Sequence, residues 1–356
     1  MRVALILATS IEKSPYVQYY IDIYERMGAD IEIILLNRDK KVIKRETLHR
    51  IYSCDIVARE TAPGYRKVYD YIRYSRFVQE VLGKSSYDQV VVFTIANALF
   101  LSPYLLKYYR GRYIFDIRDY SPLVGYSGPV LRRLLKNSSL NVLSSPGFRA
   151  WLPKCESVIC HNVRPSFLAD SVGQARDIDC RNIVVLTIGQ LRDYETNRWV
   201  MESLGDKPAV RLQFSGKGIA CESLEQYKVE QGYNNVSFTG YYHKSDELSI
   251  VDGCDFMNII LPDDKLSRHL ISNRFYLALL RRKPMLVSEG SIQAEYVKKF
   301  GLGIVISAED NIFDKIIAYA RLFDPHAFEQ NCNRLLQQVK FDTEDFSKRI
   351  LDSSIV

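Results

Sequence analysis

Residues 272–291 read SNRFYLALLRRKPMLVSEGS. Phe275, Tyr276, Leu277, Leu279 and Leu280 make an apolar helix that runs into Arg281-Arg282-Lys283. Pro284 stops it, Met285, Leu286 and Val287 form a short buried run, and Ser288-Glu289-Gly290-Ser291 opens a polar loop. In an open α/β sheet, a helix start and the loop after the next strand fall on one rim, outside the carboxyl ends of the strands, where ligands bind. A helix start offers free backbone N–H groups and a positive dipole end, and Arg274 adds a full charge there. The stretch is suited to holding an anion.

The rest of the chain repeats this strand and helix rhythm. In the first half the expected strands are Val3–Leu7, Ile31–Leu36, Gln89–Phe93, Tyr113–Ile117 and Leu140–Leu143, with a weaker one at Ser157–Cys160. Between them lie helical patterns such as Tyr16, Val17, Tyr20, Ile21 and Tyr24, closed by Gly28. Residues 163–181 carry Pro, Gly and polar residues without periodicity and read as a connection. Alternation restarts with strands at Ile183–Ile188, Val210–Phe214, Val236–Phe238, Phe256–Leu261, Pro284–Val287 and Gly303–Ile306, and a charged amphipathic helix follows at Asp342–Ile350. Such alternation implies parallel, doubly wound sheets. With 356 residues, the chain is long for one core. The expected division is an N-terminal Rossmann-like domain over 1–165, a linker over 166–181 and a second Rossmann-like domain over 182–339, with a helix over 340–356 packing back on the first domain.

Charge divides unevenly between the halves. Residues 1–165 hold 25 Lys and Arg against 15 Asp and Glu, a net of +10, whereas the whole chain carries +6. Basic clusters stand at Lys40-Lys41, Lys44-Arg45, Arg110 to Arg112 and Arg132-Arg133. The helix GPVLRRLLKN (128–137) sets Val130, Leu131, Leu134 and Leu135 against Arg132, Arg133 and Lys136. This suits peripheral contact with an anionic membrane surface. No helix-turn-helix, zinc or RNA-binding signature accompanies the charge, which argues against nucleic acid. No apolar run approaches the roughly 20 residues needed to cross a bilayer, and the N-terminus does not read as a signal peptide. The expected location is therefore cytoplasmic, on the inner face of the cell membrane. Seven scattered cysteines without a C-x-x-C pair read as buried side chains in a reducing compartment rather than as a metal site at Cys155, Cys160 and His161.

The first strand is followed by Leu7-Ala8-Thr9-Ser10 instead of G-x-G-x-x-G, which disfavours a dinucleotide dehydrogenase. The second half is richer. TIGQLRDYETN (187–197) brings Gly189 and Arg192, FSGKG (214–218) brings Gly216 and Lys217, and VSFTGYY (236–242) brings Gly240, Tyr241 and Tyr242. With Ser272, Asn273 and Arg274, these loops supply cations and N–H groups for a diphosphate, and Tyr241 and Tyr242 offer rings to flank a base. Glu289, Gly290, Ser291 and Glu295 are candidates for ribose or sugar contacts.

The order of these motifs resembles the nucleotide-sugar domain of GT-B glycosyltransferases, and is most similar to the family 4-like enzymes of bacterial capsule, exopolysaccharide and O-antigen synthesis. FDIRDYSP (115–122) resembles the acceptor-side D-x-R-D-x-x-P segment of that family, and SSPGF (144–148) its Ser-x-Gly-Phe segment. The resemblance implies a GT-B fold of two Rossmann-like domains facing across a cleft. It implies transfer of a sugar from a UDP- or GDP-sugar to a glycan or polyprenyl-diphosphate-linked acceptor. Arg192 and Lys217 or Arg274 would stabilise the leaving diphosphate. With no D-x-D triplet at a strand end, metal-independent chemistry without a cofactor is expected. Asp119 is the first candidate for the base, with Asp116 and Arg118 beside it. The family usually places Glu where this chain has Leu277, and His269 stands where the first Glu of its E-x₇-E pair would lie. A sugar-nucleotide epimerase of the same fold, and a non-catalytic nucleotide-sugar or glycan-binding scaffold, are the competing readings.

Overall fold

The structure, a computed structural model, describes residues 1–38, 49–56, 63–163 and 172–354. Lys40-Lys41, Lys44-Arg45 and positions 166–171 of the expected linker lie outside the described residues. The chain forms two compact units: Met1–Pro165 with Phe341–Val356, and Ser166–Lys340.

In the first unit seven strands, β1 (Arg2–Leu7), β2 (Asp30–Asn37), β3 (Arg50–Asp55), β4 (Gln89–Phe93), β5 (Tyr113–Ile117), β6 (Leu140–Leu143) and β7 (Val158–Ile159), form one sheet in the order β3-β2-β1-β4-β5-β6-β7. Every pairing is parallel, with Val3 opposite Ile31 and Gln89. Strands covered on both faces read as continuous apolar runs, and Val3 to Leu7 are fully buried. α1 (Val17–Arg26) buries Val17, Tyr20, Ile21 and Tyr24 against the sheet, and Gly28, at φ +67°, ends it. α2 (Gly64–Gly83), α3 (Ile95–Phe100), α4 (Ser102–Tyr108) and α5 (Gly128–Asn137) complete the connections. β3 has no counterpart among the expected strands. Its sequence, RIYSCD, does not alternate strongly, and as an edge strand it pairs with β2 alone and stays half-buried.

The second unit repeats the plan. β8 (Ile183–Ile188), β9 (Val210–Ser215), β10 (Val236–Gly240), β11 (Phe256–Ile259), β12 (Met285–Ser288) and β13 (Gly303–Ile306) lie parallel in the order β10-β9-β8-β11-β12-β13. The order reverses between β8 and β11, as it does between β1 and β4 in the first unit, and a crevice forms at such a reversal. α6 (Tyr194–Leu204), α7 (Cys221–Gln231), α8 (Glu247–Asp252), α9 (Asn273–Leu280), α10 (Ile292–Phe300) and α11 (Ile312–Arg321) flank this sheet.

α12 runs unbroken over Pro325–Ser353, longer than the helix expected at Asp342–Ile350. Its last turns bring Phe346 and Ile350 into the core of the first unit, where Phe346 meets Tyr20 edge-on at 5.2 Å between ring centroids. All seven cysteines are free, and no group of metal-ligating residues occurs among the described residues. His161 is buried and pairs with Asp342 at 2.8 Å rather than joining Cys155 and Cys160. Among the described residues no helix is long and apolar enough to cross a membrane.

Candidate active site

In the second unit the loops after β8, β9 and β10 are tied together at backbone level. Gly189 N–H donates to Ser215 O at 2.8 Å, Gly216 N–H to Gly240 O at 2.8 Å, and Leu191 N–H to Lys217 O at 3.2 Å. The approach is so close that a Cβ on Gly216 would stand 1.9 Å from Gly189 O, and one on Gly218 2.0 Å from Leu191 O. Gly216 also holds φ at +133°, a value that side chains strongly disfavour. The glycines expected to approach a phosphate first of all let these two turns touch.

α9 joins this cluster from the other side of the switch point. Arg274, in its first turn, reaches back across 84 residues and donates from Nη2 to Gln190 O at 2.9 Å. Burial away from water pushes its guanidinium down to about 10, while the nearby Tyr242 phenol opposes that shift, so the charge persists at neutral pH. Arg274 is half-buried, and a partly desolvated cation interacts more strongly with an incoming anion than one in bulk water. Ser272 caps the helix without using its side chain, and its Oγ is buried with no hydrogen-bond partner. Its backbone N–H is taken by the buried Gln293 at 3.1 Å. Asn273, Arg192 and Lys217 are exposed. Two of the cations expected to grip a diphosphate, Arg192 and Lys217, thus sit on loops in direct contact, and the third, Arg274, reaches one of those loops from the first turn of α9.

The remaining donor-side expectations fare unevenly. Tyr241 is exposed and meets His243 edge-on at 5.5 Å, leaving its ring open to a planar ligand. Tyr242 instead donates its hydroxyl to the buried Glu247 at 3.1 Å, and Lys244 holds the same carboxylate. Gly240, at φ +70°, terminates a bulged strand end. Ser291 is a correction. It is buried and caps α10, accepting Ala294 N–H at 3.1 Å and donating to Ser288 O at 2.7 Å, so its hydroxyl is spent inside the fold. Glu289 and Glu295 are exposed, Glu289 with Lys298 at 3.8 Å, and Gly290 turns between them at φ +72°. Leu277 is buried on α9.

In the first unit a larger correction applies. Asp116 and Arg118, expected beside the base, are both buried and bonded to each other. Asp116 also accepts the Tyr20 hydroxyl, and Arg118 donates to Cys160 O at 2.9 Å while lying 4.1 Å over the Tyr16 ring. Burial raises the Asp116 carboxyl above its ordinary value, with the Arg118 charge opposing. The pair thus lies inside the core of the first unit, enclosed rather than exposed at its rim, with Asp116 Oδ1 and Arg118 Nε left without a hydrogen-bond partner. Asp119, one residue beyond Arg118, is exposed. Ser144 and Ser145 in the following turn are buried, Ser144 donating to Arg118 O at 2.9 Å.

Sequence reading missed Gln190, Gln293 and Glu247. Gln190 acts through its carbonyl, which carries no residue-type signal. Gln293 sits in a helical run where a glutamine ordinarily faces water. Only the i, i+3 spacing of Lys244 and Glu247 could have suggested their pairing.

No family model matches the chain, and no curated protein matches it. Solved structures do. Sucrose-phosphate synthase from Thermosynechococcus elongatus is 12% identical, with a TM-score of 0.75 over 99% of this chain and 98% of that one. HepE from Anabaena, solved in complex with UDP, is 14% identical, with a TM-score of 0.65 over 99% of this chain and 100% of that one. The lipopolysaccharide outer core galactosyltransferase WaaB is 12% identical, with a TM-score of 0.65 over 99% of both chains. The likeness runs along the whole chain and shows the GT-B fold.

Proposed function

We propose that the chain is a glycosyltransferase that moves a sugar from a nucleotide diphosphate-sugar to a glycan or polyprenyl-diphosphate-linked acceptor in bacterial surface polysaccharide synthesis. The observation that carries this reading is the contact of Arg274 with Gln190 O, which joins a half-buried cation to the glycine turns after β8 and β9. Support comes from structural neighbours described as a sucrose-phosphate synthase and a galactosyltransferase, and from HepE, solved with UDP and with UDP-glucose. UDP is thus the first nucleotide to test and GDP the second.

In the transfer, the bond between the sugar C1 and the diphosphate oxygen breaks, and its electron pair leaves on the diphosphate. Fixed cations placed where that charge develops lower the barrier, and Arg192, Lys217 and Arg274 can do so without a metal ion. The acceptor hydroxyl forms the new bond to C1 and gives up its proton, for which Asp119 is the candidate base. Tyr241 flanks the nucleotide base, and Glu289 and Glu295 are available to the ribose or sugar hydroxyls. Contact with an anionic membrane through Arg132, Arg133 and Lys136 of α5 fits a lipid-linked acceptor on the inner face of the membrane. The scaffold reading is favoured by one feature, the buried Leu277 where the family usually carries Glu.

Two measurements separate these readings. UDP at about 100 times its Kd should stabilise the protein by about 2.7 kcal/mol and raise Tm accordingly. No response to UDP or GDP refutes nucleotide-sugar binding. Asp119→Asn should lower turnover about 100-fold or more with UDP affinity unchanged; an unaltered rate removes Asp119 from the mechanism, and UDP binding without transfer to any acceptor supports the scaffold.

A further inference from the structure

A polar cavity lies in the first unit, beyond the carboxyl end of β3 and against the first turns of α2. Its volume is about 790 Å³, and its lining is Asp55, Ile56, Tyr65, Arg66, Tyr69, Asp70 and Arg73. Because β3 is the edge strand, two places from β1 in the sheet, the cavity stands apart from the switch point between β1 and β4. At about 4.8 Å per strand, that offset is on the order of 10 Å.

Three features give it the character of a binding site. Tyr65 and Tyr69 are 78% and 60% exposed, large rings left uncovered side by side on α2. Asp70 is only 6% exposed, yet its Oδ2 is buried with no hydrogen-bond partner. A buried carboxylate oxygen without a donor carries a desolvation cost that a ligand hydroxyl would remove. By contrast, Asp55 has its Oδ1 taken by Asn37 Nδ2 at 2.9 Å and Ser53 Oγ at 2.7 Å. Finally, Arg66 and Arg73 balance Asp55 and Asp70, so the cavity is neutral while rich in both donors and acceptors. Arg73 stands 5.9 Å over the Tyr69 ring, which fixes the edge of that aromatic platform.

This balance decides the ligand. An anion would meet two carboxylates, and an anionic bilayer would find no net charge to attract it. A neutral polyol has hydroxyls that donate to Asp70 and accept from arginine, and a ring whose C–H face packs on tyrosine. We infer that the cavity at Tyr65, Tyr69, Asp70 and Arg73 binds a neutral hexopyranose unit of a glycan, apart from the reacting centre. The inference deepens the transferase reading, since it gives a growing glycan a second hold on the first unit, but the test below does not depend on that reading.

The probes are methyl glucopyranoside, methyl galactopyranoside and methyl mannopyranoside, followed by saturation-transfer NMR on the full chain. At least one should bind saturably, with binding undiminished by excess UDP. Tyr69→Ala should weaken it at least fivefold and Asp70→Asn at least threefold, each with unchanged Tm; should Asp70→Asn perturb folding, the exposed Tyr65→Ala serves in its place. The inference is overturned if none of the three sugars binds, if UDP displaces them, or if neither variant alters binding. It is also overturned if anionic vesicles or inorganic phosphate engage these tyrosines while the sugars do not. Sugar binding that persists in a protein indifferent to UDP and GDP would refute the transferase reading alone.

Discussion

Each unit places charged residues near the carboxyl ends of its strands, and each uses them differently. At the end of β5, Asp116 and Arg118 are buried and bonded to each other, to the Tyr20 hydroxyl and to Cys160 O. At the rim of the second unit, Arg274 is anchored by a single carbonyl, and Arg192 and Lys217 face solvent. A charge enclosed in the core beside its counter-charge contributes to the fold and lies out of a ligand's reach. A charge held at an exposed rim is within reach of a ligand. The two units share a topology, so it is this enclosure, rather than position in the sheet, that separates a structural pair from a candidate site.

The sharpest break in this comparison comes from the buried pair. Asp116→Ala leaves the Arg118 guanidinium enclosed and uncompensated, and should cost about 3–5 kcal/mol by chemical denaturation. A loss below about 1 kcal/mol would show that the pair is not enclosed. Gly216→Ala comes next. Its Cβ would meet Gly189 O at 1.9 Å from a backbone at φ +133°, so stability should fall by about 2–3 kcal/mol and nucleotide binding should be lost as the two turns separate. Arg274→Ala should move binding alone, weakening UDP by about 10- to 100-fold, the range for a lost charge-assisted hydrogen bond of about 1.5–3 kcal/mol.

The smallest effect belongs to Asp310. Lys315 and the Ser307 N–H hold its carboxyl down to about 2, below the ordinary 3.8. A depressed carboxyl stabilises the fold above its unfolded value and loses that contribution as pH falls through its folded value. The gain should therefore be complete above about pH 4 and vanish toward pH 2. The pair is partly exposed at the surface, so Asp310→Asn should cost about 1 kcal/mol or less at neutral pH.

Much of the fold could be read from the sequence because parallel strands covered on both faces leave unbroken apolar runs. Gln89–Phe93, Tyr113–Ile117, Leu140–Leu143, Ile183–Ile188 and Gly303–Ile306 have the bounds expected of them. β3 was illegible for the opposite reason, being half-exposed with one neighbour. The donor loops were legible as glycine and cation spacing, and their mutual contact was not, since Gln190 and Lys217 act through backbone carbonyls. The roles of Asp116 and Ser291 were also hidden. Sequence shows a carboxylate beside a guanidinium and a serine in a polar loop, and only coordinates show which way each side chain turns.

The account rests on the rim of the second unit binding a nucleotide diphosphate through Arg274. Isothermal titration of UDP into the wild type and Arg274→Ala, with melting curves for both, tests that claim most directly. The expected result is saturable binding to the wild type and at least tenfold weaker binding to a variant with the same Tm. Equal affinity in the two proteins would contradict it.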